Sequence, residues 1–241
     1  MTISQIVSTT AVFLTLTTPA MAQDQDLRIL ALRGIMQADP DKGVPIIERM
    51  LPDASPGELD RALSLLSQSQ SSRAREAMFG AVRNNANPEL QRAAIRHLRT
   101  MEGADDREVL ADVYQTTTDS SVKRAVLESY FMSGNVERTA EVANGEQDSD
   151  LRRTAIHNLG MLNQPGTSKG ASDALVSLYN ADSSSEIRRA IVNALFIQPN
   201  AKALVDLVGT EKDPSVKKEI VSKLSLMRTP EATNYILRLL K

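Results

Sequence analysis

A repeated basic position is the polar feature of this sequence with the clearest capacity for chemistry. Basic residues follow an aliphatic residue by two positions, at intervals of 29 to 36 residues, and they are Arg61, Arg92, Arg124, Arg153, Arg189 and Lys218. A guanidinium can bind a carboxylate through two parallel N–H bonds, so such a column could bind an acidic segment of another protein. In the structural alternative, each basic side chain instead binds turn carboxylates or helix carbonyls of the adjacent repeat.

A second column follows four residues later, where residues i and i+4 share one face of a helix. The sequence therefore predicts two parallel columns along one side of the molecule. The candidate partner-binding residues in these columns are Arg92, Arg96, Arg124, Glu128, Arg153, His157, Arg189 and Asn193.

Other kinds of chemistry find little support in the composition. The chain has no cysteine, which excludes disulfides, thiolate nucleophiles and cysteine-bound zinc. The two histidines, His97 and His157, have no second histidine four residues away, and no phosphate-binding glycine loop or nucleophile elbow is present. The sequence predicts that the chain is not an enzyme and has no cofactor and no metal site. The net charge of −2 also argues against nucleic acid as a partner.

The apolar spacing favours helices throughout. In the segment 151–159, apolar residues stand at 151, 155, 156 and 159, which is typical of one buried helical face. Asn87, Asp213 and Thr229 each precede a proline, which predicts a capping residue followed by the first helical turn. No segment has the alternation of a strand, so the predicted fold class is all-α.

The regular interval predicts pairs of helices that cannot bury their apolar faces alone. Helices such as 44–51 are apolar on more than one side, so neighbouring pairs must cover them, and stacking in chain order gives an α-solenoid. The predicted pairs are roughly 41–69, 71–101, 104–132, 134–162, 168–197 and 199–227, with single helices near Leu27 and at 231–240. Methionines near the helix ends are expected to fill the interfaces between repeats; these are Met50, Met78, Met101, Met132, Met161 and Met227.

The segments 148–160, 213–224 and 87–98 resemble HEAT repeats, especially the phycobilisome-lyase type found in bacteria. The resemblance implies a right-handed, armadillo-like superhelix of antiparallel helix pairs, formed by residues 23–241 as a single array. It also implies that the second helix of each pair lines a concave face. The motif is informative about fold and says little about function, because such arrays bind many unrelated partners.

The first 22 residues are predicted to be a signal peptide. They contain no Asp, Glu, Lys or Arg and end in Ala20-Met21-Ala22, with small residues at the positions that a signal peptidase recognises. Their apolar stretch is far shorter than the ~20 residues that span a bilayer. We therefore expect no membrane span, and an exported protein that is periplasmic or secreted. The alternative is a disordered N-terminal extension.

Together these features predict a non-enzymatic scaffold that binds another protein or peptide on the concave face. The first alternative is an assembly factor similar to the bilin-attaching lyases with this repeat type, although no cysteine is available as a nucleophile. The second is nucleic-acid binding, as in HEAT-like DNA glycosylases, which the net charge and the N-terminal segment oppose. The sequence does not identify the partner or the oligomeric state.

Overall fold

The computed structural model describes the backbone of residues 19–84, 86–101 and 107–241, and burial from residue 27 onward. Within these ranges all regular structure is helical and no strand is present, which confirms the all-α prediction. Most of the predicted signal peptide, residues 1–18, lies outside the described residues. The predicted cleavage point after Ala22 falls within the first helix, α1 (Pro19–Ala38).

Six helix pairs follow α1, in agreement with the six predicted pairs. The first helices of the pairs are α2 (Pro40–Met50), α4 (Ser72–Val82), α6 (Arg107–Thr116), α8 (Val136–Gly145), α10 (Ser168–Ala181) and α12 (Ala201–Thr210). The second helices are α3 (Pro56–Ser67), α5 (Pro88–Leu98), α7 (Ser120–Met132), α9 (Ser149–Met161), α11 (Ser185–Ile197) and α13 (Pro214–Leu226). A final helix, α14 (Pro230–Leu239), packs on α12 and α13.

The pairs stack in chain order, as expected for a HEAT-type solenoid. Each second helix contacts the second helix of the next pair, from α3–α5 through to α11–α13. Fully buried aliphatic side chains continue along this layer, including Leu63, Leu127 and Ile156. They belong to one hydrophobic cluster that extends from α1 to α14. The core is therefore a continuous column between the two layers of helices.

The side chains that cap the N-termini of these helices are the ones predicted from the sequence. The Asn87 Oδ1 atom accepts hydrogen bonds from the backbone N–H groups of Glu89 (3.1 Å) and Leu90 (3.0 Å). Asp213 caps α13 in the same way through Ser215 and Val216. Each cap satisfies donors that have no partner within the helix, which fixes where the second helices start and hence where their side chains point.

A glycine allows two second helices to approach closely. A Cβ atom built on Gly160 of α9 would lie 2.8 Å from the Cα atom of Ala194 in α11. Such a contact is shorter than van der Waals packing allows, so one backbone would have to move. Because residue 160 has no side chain, α9 and α11 can pack at this short distance.

Gly160→Ala is expected to lower the free energy of unfolding by about 1–3 kcal/mol, because the added methyl group meets backbone and not a flexible side chain. Urea denaturation of the purified chain measures this change. The control is Gly80→Ala in α4, where nothing lies within 4 Å of the added Cβ. That variant is expected to gain about 0.5–1 kcal/mol from helix propensity. A similar gain for both variants would show that α9 and α11 are not in close contact.

Candidate partner-binding surface

The eight candidate residues lie on four consecutive second helices, α5, α7, α9 and α11. All of them are exposed except Arg92, which is half-buried. The two predicted columns therefore occupy solvent-facing positions of one helical layer. We call this layer's exposed side the second-helix surface.

In the C-terminal half of the second-helix surface, the arginines are neutralised by acidic residues. Arg153 Nη1 lies 2.5 Å from Glu186 Oε1 at the start of α11, and Arg153 also pairs with Asp150. Arg189 Nη2 donates to Ser215 Oγ (2.6 Å), and its Nε atom lies 3.6 Å from Glu219 Oε2 on α13. These contacts join neighbouring repeats, as the structural alternative expects.

In the N-terminal half, positive charge remains available. Arg96 and Arg124 are exposed, and neither forms an ion pair within the described ranges. The half-buried Arg92 donates from Nε to the Pro88 carbonyl oxygen (3.3 Å). Its charge also contributes to the lowered pKa of Asp119, behind the larger effect of the Ser121 hydroxyl. Arg96 and Arg124 are therefore the candidate arginines that combine exposure with the lack of an ion pair within the described ranges.

The remaining candidates are of three kinds. Glu128 is an exposed anion one turn after Arg124, and His157 is an exposed histidine one turn after Arg153. The Asn193 Oδ1 atom accepts a hydrogen bond from Lys223 Nζ of the next second helix (2.9 Å). The eight residues therefore share a surface, and among them Arg96 and Arg124 are the exposed cations that form no ion pair with a described residue.

Basic residues one position earlier in the sequence also connect the repeats. Lys123 Nζ lies 2.9 Å from Glu146 Oε2, Arg152 Nη2 lies 2.5 Å from Asp182 Oδ2, and Arg188 Nη1 lies 3.0 Å from Glu211 Oε1. Each carboxylate follows the first helix of the next repeat. The predicted column contains only the second basic residue of each pair, so these ties were not predicted from the sequence.

Two of the ties include a tyrosine at equivalent positions. The Tyr114 hydroxyl donates to Glu146 Oε2 (2.7 Å), and Lys123 Nζ lies 5.0 Å from the centre of the Tyr114 ring. The Tyr179 hydroxyl donates in the same way to Glu211, below the guanidinium of Arg188. In both clusters the basic residue follows the tyrosine by 9 positions and the glutamate follows it by 32. This shared spacing is the sequence signal that could have identified them.

The environment of these clusters fixes their protonation states. Burial by itself would raise the pKa of Glu146, but the Asp148 amide, the Tyr114 hydroxyl and Lys123 outweigh it and lower that pKa to about 2. Burial and the neighbouring carboxylate raise the pKa of Tyr114 far above its usual value. Near pH 7 the carboxylate stays charged and the phenol stays protonated. The cluster is therefore suited to joining repeats and poorly suited to transferring protons.

The first helices leave clefts between them. A cleft of about 410 Å³ lies between α6 and α8, with Tyr114, Lys123 and Glu146 among its lining residues. Another, of about 390 Å³, lies between α10 and α12. Among the described residues, no group of three or more His, Asp or Glu side chains is placed to hold a metal ion. Likewise, no described helix is long and apolar enough to cross a bilayer.

The methionines divide into two groups. Met78, Met101 and Met227 are buried and Met50 is half-buried against the core, as expected of side chains that fill interfaces. Met132 and Met161 are 56% and 44% exposed, so the interface prediction is wrong for them. They are the last residues of α7 and α9 and are exposed, whereas Tyr130 and Leu159, two positions earlier, are buried.

Comparison with known proteins supports a HEAT-repeat protein. Residues 45–130 match the family described as HEAT repeats. Among solved structures, the chain is similar to human deoxyhypusine hydroxylase in complex with glycerol, with 14% identity, 92% of each chain covered and a TM-score of 0.35. No curated protein matches the chain.

Proposed function

We propose that this chain is an exported, non-enzymatic scaffold that binds an acidic segment of another protein on its second-helix surface. The observation that carries the proposal is the placement of Arg96 and Arg124. They are exposed on adjacent helices and have no ion-pair partner among the described residues. The arginines equivalent to Arg124 in the next repeats, Arg153 and Arg189, are already paired.

An acidic peptide would supply carboxylates to Arg96 and Arg124, which form no ion pair with a described residue. Exposed arginines attract an acidic partner and orient it on approach, and each guanidinium can hold a carboxylate through two N–H groups. Because the net charge of the whole chain is −2, this attraction is local to one part of the surface.

The packing within the two helical layers supports the second-helix surface as the inner, concave side of the array. Clefts separate the first helices α6 and α8, and likewise α10 and α12. In contrast, the second helices α9 and α11 lie so close together that only glycine fits at position 160. In a curved array the more closely packed layer is on the inside. Side chains from successive second helices would then converge on one partner.

Export and the phycobilisome-lyase repeat type belong to this proposal as well. Export rests on the uncharged first 22 residues and their small residues before Gln23. The repeat type rests on segments such as 148–160 and 213–224. The non-enzymatic part of the proposal rests on the composition, which includes no cysteine as a nucleophile.

The double substitution Arg96→Glu with Arg124→Glu tests the proposal. A fluorescein-labelled oligoglutamate peptide is titrated with the protein at low salt and followed by fluorescence anisotropy. We expect the double variant to weaken binding by roughly tenfold or more, because two attractive charges become repulsive. An oligoglutamine peptide of equal length should not bind.

The matched control reverses two exposed basic residues on first helices, Arg73→Glu in α4 and Lys202→Glu in α12. Its net charge equals that of the test variant, and its affinity for the peptide should stay within about twofold of wild type if the effect is local. Circular dichroism verifies that both variants fold. Equal loss of binding in the two variants would show that only the overall charge matters, and it would contradict a defined site.

A further inference from the structure

Four consecutive second helices end in a large apolar residue. Each of the helices α7, α9, α11 and α13 has 13 residues, and the last residues are Met132, Met161, Ile197 and Leu226. Three of these side chains are largely exposed, at 56% for Met132, 44% for Met161 and 66% for Leu226, and Ile197 is half-buried. We call these four residues the terminal apolar row.

The four residues of the row lie on helices that are direct neighbours. The contacts α7–α9, α9–α11 and α11–α13 place equivalent residues side by side. A single exposed apolar residue needs no explanation, whereas several at equivalent positions of adjacent helices form a contiguous patch that is typical of an interaction site.

The spacing of the row fits one backbone conformation of a partner. Packed helices lie about 8–10 Å apart, so successive members of the row are separated by about that distance. A polyproline II segment rises about 3.1 Å per residue and has three residues per turn. Every third side chain then points in the same direction at intervals of about 9.3 Å.

The charges beside the row determine the rest of the partner's chemistry. The row starts on α7, the helix that also carries Arg124, and the preceding helix α5 carries Arg96. At the end of α5 the exposed residue Arg99 stands near the corresponding position, so the surface there is cationic. A segment that runs from α5 to α13 would therefore meet Arg96 and Arg99 before it reaches the apolar side chains of the row.

We propose that the terminal apolar row binds an extended, polyproline II-like segment of the partner, in which acidic residues precede apolar residues at every third position. This proposal rests on the proposed function and specifies its partner. Acidic residues would pair with Arg96 and Arg124, and the apolar residues would pack on Met132, Met161, Ile197 and Leu226.

Two labelled peptides of identical composition provide the test. The first is Glu-Glu-Glu-Ser-Leu-Pro-Ser-Leu-Pro-Ser-Leu-Pro-Ser-Leu, and the second has the same residues after the glutamates, with the leucines placed as adjacent pairs. Fluorescence anisotropy gives both affinities for the wild-type chain. We expect the first peptide to bind at least roughly tenfold more tightly, because only its leucines match the row.

The variant Met161→Gln with Leu226→Gln should lose this preference and bind both peptides equally. Its control is Leu30→Gln with Leu237→Gln, which alters leucines that are 62% and 54% exposed on α1 and α14. The control should bind both peptides like the wild type. Because all four residues are exposed, both variants are expected to fold, and thermal unfolding verifies this.

The outcomes separate this proposal from the function on which it rests. If oligoglutamate binds through Arg96 and Arg124 while the two leucine peptides bind equally, the row proposal is overturned and the acidic-segment function stands. If no peptide binds, both are overturned. The row proposal would also be overturned if the chain showed no preference between the two peptides, and if Met161 and Leu226 were instead needed for self-association or for binding to phosphatidylcholine vesicles.

Discussion

Glu211→Ala is expected to lower the free energy of unfolding by about 3–5 kcal/mol at pH 7, because it breaks a buried ion pair from one side. The Glu211 side chain is completely buried and lies 3.0 Å from Arg188 Nη1. It also accepts a hydrogen bond from Tyr179. Without the carboxylate, the Arg188 charge and the Tyr179 hydroxyl lose their partner between two repeats. Urea denaturation monitored by circular dichroism measures the loss.

The pH dependence of this loss has a definite direction. Burial alone would raise the pKa of Glu211, but Tyr179, the Asp213 amide and Arg188 lower it below the ordinary value of 4.5. A carboxylate with a lowered folded-state pKa stabilises the fold fully above pH 4.5 and loses that contribution as the pH falls through the folded-state pKa. The difference between wild type and Glu211→Ala should therefore shrink below pH 4.5.

A matched control removes an exposed carboxylate from the neighbouring helix turn. Asp206 is 63% exposed and pairs with Lys202 at 2.8 Å within α12. Asp206→Ala should change the free energy of unfolding by less than about 0.5 kcal/mol, since exposed pairs contribute little. If Glu211→Ala were as mild as this control, the ties between repeats would not contribute to stability.

Ile156→Ala is expected to lower the free energy of unfolding by about 2–5 kcal/mol, because truncating a buried side chain removes apolar contacts and leaves a cavity. Ile156 is fully buried in α9, and that helix contacts α7, α8, α10 and α11. Hydrogen exchange should therefore become faster in the repeats on both sides of α9. Chemical denaturation gives the size of the loss.

The comparison variant is Leu240→Ala. Leu240 follows the last helix and is 78% exposed, so its truncation should cost less than about 0.5 kcal/mol. Equal losses at Ile156 and Leu240 would be incompatible with a core that runs between stacked pairs.

The helix pairs could be predicted because their causes are local. Apolar residues at helical spacing and capping side chains such as Asn87 act within one or two turns, so the sequence displays them directly. The stacking of the pairs also follows from the sequence, because helices that are apolar on several sides must be covered by their neighbours.

The ties between repeats could not be assigned in this way. Lys123 and Arg124 are adjacent basic residues. The position of Glu146 on the following repeat determines that Lys123 forms the tie. Similarly, Met132 and Met161 are methionines, a residue type that commonly fills interfaces. Their exposure depends on which side of each helix the neighbouring helices cover, and that depends on how the helices are placed relative to one another.

Disulfide trapping tests most directly whether the partner lies on the second-helix surface, and the chain suits it because it contains no cysteine. One variant has His157→Cys on α9, another has Ser177→Cys on the first helix α10, and both original residues are exposed. Each variant is mixed with the first of the two leucine peptides, in which the second of the four serines is replaced by cysteine. We predict a mixed disulfide with His157→Cys and almost none with Ser177→Cys. Preferential trapping by Ser177→Cys would contradict the proposed surface.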